Sequence, residues 1–94
     1  MNQQEAITFE DARDAATRLN RARGAASAAI TYANSEKAKL NAQKTIKQAD
    51  LAYWTARPAD GARTAALAQI NTAISDLDAR IAVFDTAIAA NQAI

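Results

Sequence analysis

Residues 67–88 read LAQINTAISDLDARIAVFDTAI, and this stretch decides the fold. Its large apolar residues, Leu67, Ile70, Ile74, Leu77, Ile81, Phe84 and Ile88, recur at alternating steps of three and four. A strand alternates every two residues, and a disordered segment keeps no period. Seven successive seats on a 3.5-residue repeat therefore predict one amphipathic helix with a seam that another helix must cover. The next seat is Asn91. Two readings fit it: the helix frays there and Asn91 faces water, or a polar seat sets the register of an oligomer.

Upstream of this seam stands the clearest break in the chain, Arg57-Pro58-Ala59-Asp60-Gly61. Pro58 disfavours helix at Arg57, and Asp60-Gly61 is turn chemistry. Asp60 is also placed to cap the helix that follows. A connection over 57–61 is too short for anything but antiparallel neighbours. Folding the chain about residue 59 sets Leu51 near Leu67, Leu40 near Leu77 and Ile30 near Ile88. The last helix is expected over about 62–91, with Ala66, Ala73 and Ala87 widening its contact face. Asp78 and Asp85 flank the seam, where they can meet lysines of the middle segment.

The segment before the break reads as a long helix over about 8–56. Thr8 is its expected cap, followed by the acidic residues Glu10 and Asp11, while Asn2 with Glu5 offers an earlier start. A stripe of Phe9, Ala12, Ala16, Leu19, Ala26, Ile30 and Ala33 keeps its register through Gly24, with Arg23 in the one off-pattern seat. That continuity predicts a helix running through Gly24, straight or kinked, because an interior Gly costs only about 1 kcal/mol. The alternative makes Gly24 a C-terminal cap and yields a three-helix bundle. Between Ala33 and Ala56 there are two faces. One is a seam of small residues, Ala38, Ala42, Thr45, Ala49, Ala52 and Ala56, bordered by Ile46 and Tyr53. The other carries Ala33, Lys37, Leu40, Lys44, Lys47, Leu51 and Trp54. The small seam is expected to receive the large residues of the last helix. The fold class is thus all-α: a single helical domain over 1–94, an antiparallel hairpin with coiled-coil-like packing.

Composition narrows the function. The chain has no Cys and no His, which removes disulfides, thiol chemistry, Cys or His metal sites and a His general base together. No cofactor and no metal are expected. Asp76, Asp78 and Asp85 have no neighbouring His and no cleft in which to converge, so no enzymatic activity is expected. The first residues lack the basic and apolar regions of a signal peptide, and no apolar run reaches the ~20 residues that span a bilayer. The expectation is a soluble intracellular protein without membrane contact, or a virion component if phage-encoded.

The 94 residues carry a net charge of only +1, but unevenly. Residues 1–17 hold Glu5, Glu10, Asp11 and Asp14 against Arg13. Residues 18–47 hold Arg18, Arg21, Arg23, Lys37, Lys39, Lys44 and Lys47 against Glu36. Acid returns after residue 48, with five Asp against three Arg. A nucleic-acid surface would be more basic and more one-sided, so this pattern suits pairing within or between subunits.

Of the 47 hydrophobic residues implied by a 50% share, 27 are Ala. Helices are then easy to make while the core stays thin, which points to a second chain supplying the missing burial. The preferred expectation is a non-enzymatic, self-associating assembly or adaptor protein working through protein–protein contacts. Two others stand beside it. Lys47, Asp50, Trp54 and Arg57, spaced 3, 4 and 3, share a helical face beside Tyr53. Trp54, Arg57, Lys47 and Tyr53 would hold a small anionic or nucleotide ligand between subunits, as in phage anti-defence sponges. The structural reading of the same residues is that Trp54 anchors the hairpin end while Lys47 and Asp50 form a helical pair. The third expectation is a small inhibitor docking its exposed helix face on one host protein.

Overall fold

A computed structural model describes the backbone of residues 3–94 and the side chains of residues 9–94. Two helices account for almost all of it: α1, Gln3–Thr55, and α2, Gly61–Gln92. They pack on each other as an antiparallel hairpin. Helix α1 passes through Gly24 without interruption, so the three-helix alternative does not occur. Residues 3–7 are already helical, which puts Thr8 inside α1 rather than at its cap. Asn2 lies outside the described residues.

The connection opens where expected. Helix α1 stops at Thr55, before Pro58. Asp60 leaves the helical region with φ −143° and ψ 179°, and its Oδ1 accepts the Arg63 amide at 2.8 Å. Its carbonyl accepts both the amide and the hydroxyl of Thr64, each at 3.1 Å. The Arg63 bond satisfies a donor that the first turn of α2 otherwise leaves without a partner, and the Thr64 amide bond is the first of the helix's own i→i−4 series. Gly61 has no positive φ and is simply the first residue of α2.

The register follows the fold-back about residue 59. Lys44 Nζ meets Asp78 Oδ1 at 2.6 Å, and Lys37 pairs with Asp85 one heptad further along. The Tyr32 ring meets the edge of Phe84 with centroids 6.3 Å apart. On α2, Ile70 and Leu77 are buried, while Leu67, Ile74, Ile81, Phe84, Ile88 and the flanking Ala66, Ala73 and Ala87 are half-buried. The helix does not fray at Asn91. That side chain is half-buried and donates to the Ala87 carbonyl at 2.7 Å.

One expectation is reversed. The small seam of α1 does not receive α2: Ala38, Ala42, Thr45, Ala49, Ala52 and Ala56 are all exposed, with Ile46 and Tyr53 beside them. The opposing face is buried instead, through Ala26, Ala33 and Leu40, with Ile30, Lys37, Lys44, Lys47, Leu51 and Trp54 half-buried. The physical reason is area. Leu40, Leu51 and Trp54 each remove far more apolar surface from water than an Ala does. Lys37 and Lys44, half-buried on that face, carry their ammonium groups out to Asp85 and Asp78 while their methylene stems stay against the seam.

This face belongs to one unbroken series. Phe9, Ala12, Ala16, Leu19, Arg23, Ala26, Ile30, Ala33, Lys37, Leu40, Lys44, Lys47, Leu51 and Trp54 follow one another at steps of three and four along the whole of α1. Helix α2 is too short to cover it. At 1.5 Å per residue, the 53 residues of α1 outrun the 32 of α2 by roughly 30 Å. The result is an 85 × 15 × 11 Å rod whose Cα radius of gyration, 24.0 Å, is nearly twice the roughly 12 Å of a compact chain this long.

Candidate functional site: the uncovered arm of α1 and the closed end of the hairpin

Two regions stand apart from the plain hairpin. The first is its closed end. Trp54 and Tyr53 leave the last turn of α1 as an edge-to-face pair, with centroids 5.7 Å apart and planes at 87°. The Arg57 guanidinium sits 5.2 Å from the Tyr53 centroid and 5.5 Å from that of Trp54, and its Nη1 donates to the Tyr53 hydroxyl at 2.7 Å. Three of the four residues read as an anion site, Tyr53, Trp54 and Arg57, are thus brought together. Their cation is already engaged by their own aromatic rings.

Lys47 is not part of that cluster. It stands ten residues before Arg57, roughly 15 Å along the chain axis. There it lines an open groove of about 320 Å³ with Gln43, Ile46, Ala73, Asp76, Leu77 and Arg80. Asp50 is exposed and forms no ion pair with Lys47. The other middle lysines are taken up locally: Lys37 by Asp85, Lys44 by Asp78, and Lys39 by Glu36 at 3.0 Å. Among the described residues, no three carboxylates gather to hold a metal ion, and no helix is long and apolar enough to cross a membrane.

One residue at this end escaped the sequence reading. Arg63, in the first turn of α2, donates from Nε to the Trp54 carbonyl and from Nη2 to the Thr55 carbonyl, both at 3.3 Å. It satisfies the Thr55 carbonyl, which the C-terminus of α1 leaves open, and adds a second donor to the Trp54 carbonyl, which already accepts the Arg57 amide at 3.2 Å. The available signal was a basic residue three positions after the Asp60 cap, facing a helix end across a short turn.

The second region is the arm of α1 that extends past α2. From Phe9 to Ala25 every residue is exposed. Phe9 is 65% and Leu19 43% exposed, whereas Ala26, Ala33 and Leu40, seats of the same series, are between 3% and 8% exposed. No protein-family model, no curated protein and no solved structure matches this chain significantly. The arm and the closed end must therefore be read from their own chemistry. The closed end is a network of internal bonds that ties the two helices together. The arm is an apolar stripe with charge on its opposite face, and no described residue of the chain covers it.

Proposed function

We propose that the protein is a non-enzymatic helical assembly or adaptor protein that self-associates through contacts between helices of different chains. The observation that carries this reading is the length mismatch: the seam of α1 continues past the end of α2, and Phe9 and Leu19 stay in water on a stripe that is covered only from Ala26 onward. An exposed apolar stripe on a helix, here Phe9, Ala12, Ala16 and Leu19, offers a surface on which another helix can dock. The thin core supports the same reading. Among the described residues only Ala26, Ala33, Leu40, Ile70 and Leu77 are buried, and Tyr32, Ile46, Tyr53 and Val83 are exposed as well. Neither groove nor carboxylate pair offers converging acid–base groups, so the chemistry supported here is association rather than turnover.

Light scattering coupled to size exclusion tests this. A mass above that of one 10.0 kDa chain at micromolar concentration is expected. A stable monomer across the micromolar range refutes self-association.

A further inference from the structure

The geometry points to a second copy of this chain as the occupant of the arm, docked antiparallel about a two-fold axis near residue 14. This rests on the self-association reading and specifies its architecture. The first argument is the symmetry of the stripe. Phe9, Ala12, Ala16 and Leu19 are spaced 3, 4 and 3, large-small-small-large. In an antiparallel pair centred on residue 14, Phe9 meets the partner's Leu19 and Ala12 meets the partner's Ala16. Both contacts recur through the axis, as an isologous interface requires. The two Ala seats at the centre let the helix axes approach to the short end of the usual 8–10 Å.

The second argument is where the charge lies. Glu10, Asp14, Arg18 and Arg21 fall on the face of α1 opposite the stripe, so Phe9, Ala12, Ala16 and Leu19 form an apolar face that a second such face covers without burying these charges.

The third argument is steric. The Lys37–Asp85 and Lys44–Asp78 pairs place the end of α2, Gln92, level with residues 26–30 of α1, and Ala26 is the first buried residue there. A parallel partner on the same seam would run into the space α2 already fills. An antiparallel partner runs the other way: its residue 9 is level with residue 19, and its later residues lead away from α2. Helix α2 and the partner's arm thus cover consecutive stretches of one seam.

The absence of Cys makes the test free of background. Ala12→Cys and Ala16→Cys variants are oxidised separately and as an equimolar mixture. The expected result is a crosslinked dimer mainly in the mixture, because residues 12 and 16 face each other. Like residues lie four apart along the axis, about 6 Å, which stretches their Cα separation beyond disulfide reach. X-ray scattering should give a maximum dimension of about 135 Å, two 85 Å rods overlapping by roughly 34 Å of arm. Leu19→Asp should weaken association by about a hundredfold or more, since the axis counts each lost contact twice. Its helical melt should be unchanged, because Leu19 touches no part of the hairpin.

Crosslinking of either single variant as readily as the mixture overturns the antiparallel arrangement. So does an oligomer indifferent to Leu19→Asp. Both results leave self-association standing, whereas a monomer throughout removes both readings.

Discussion

Truncating Leu40 tests which face of α1 holds the hairpin together. Leu40 is 8% exposed and packs where Leu77, 7% exposed, comes across from α2. Leu→Ala substitutions in closed cores cost about 2–5 kcal/mol, part of it for the cavity left behind. Here the seat borders an open groove of about 390 Å³ lined by Glu36, Leu40, Arg80, Val83 and Phe84. Water and neighbouring side chains can fill the gap, so the lower part of that range applies, about 2–3 kcal/mol. For a chain of this length, with roughly 5–14 kcal/mol of total stability, that is a large fraction. The thermal midpoint should fall by about 10–20 °C. The companion variant is Ala42→Gln, two residues away on the exposed small seam, which should change stability by less than about 0.5 kcal/mol. Both are read by circular dichroism at 222 nm in thermal and urea melts, at two protein concentrations so that any linked association is seen. If Ala42→Gln costs as much as Leu40→Ala, or if Leu40→Ala costs under about 1 kcal/mol, the assignment of the packed face is wrong.

Three further substitutions probe separate parts of the rod. Asp60→Ala removes the acceptor of the Arg63 amide and should cost about 1 kcal/mol in urea melts; an unchanged melt would show that the cap contributes nothing. Lys44→Glu places like charge beside Asp78 and should cost about 1 kcal/mol, with most of it recovered by adding Asp78→Lys and the difference shrinking in ~1 M salt. Gly24→Ala introduces a Cβ that meets nothing within 4 Å and should stabilise the helix by about 1 kcal/mol in the same melts. A loss of stability there would mean that α1 needs to bend at Gly24.

The candidate site was only partly legible in advance. Tyr53, Trp54 and Arg57 fall within one turn, and local geometry alone brings them together. Lys47 shares their helical face, but a face is a direction and not a place. The rise of the helix carries Lys47 away from them and into a groove shared with α2. Arg63 went unread because its partners, Trp54 O and Thr55 O, are backbone atoms of the other helix, and no side-chain pattern announces them.

The sequence by itself determined the parts whose physics is local. These are the helical period of residues 67–88, the break at Pro58, the Asp60 cap, the antiparallel sense enforced by a short turn, and through them a register in which Asp78 and Asp85 reach lysines. The tertiary structure decided which of two stripes on α1 meets α2. Both stripes have the same period, so periodicity cannot rank them. The ranking comes from the apolar area each buries against one particular partner and from the carboxylates that partner offers. Leu40, Leu51, Trp54 and the lysine stems outweigh a row of Ala on that scale. The tertiary structure also decided what is left over. Cover is a property of two elements at once, and only the packed hairpin reveals that α2 ends while the seam of α1 runs on to Phe9.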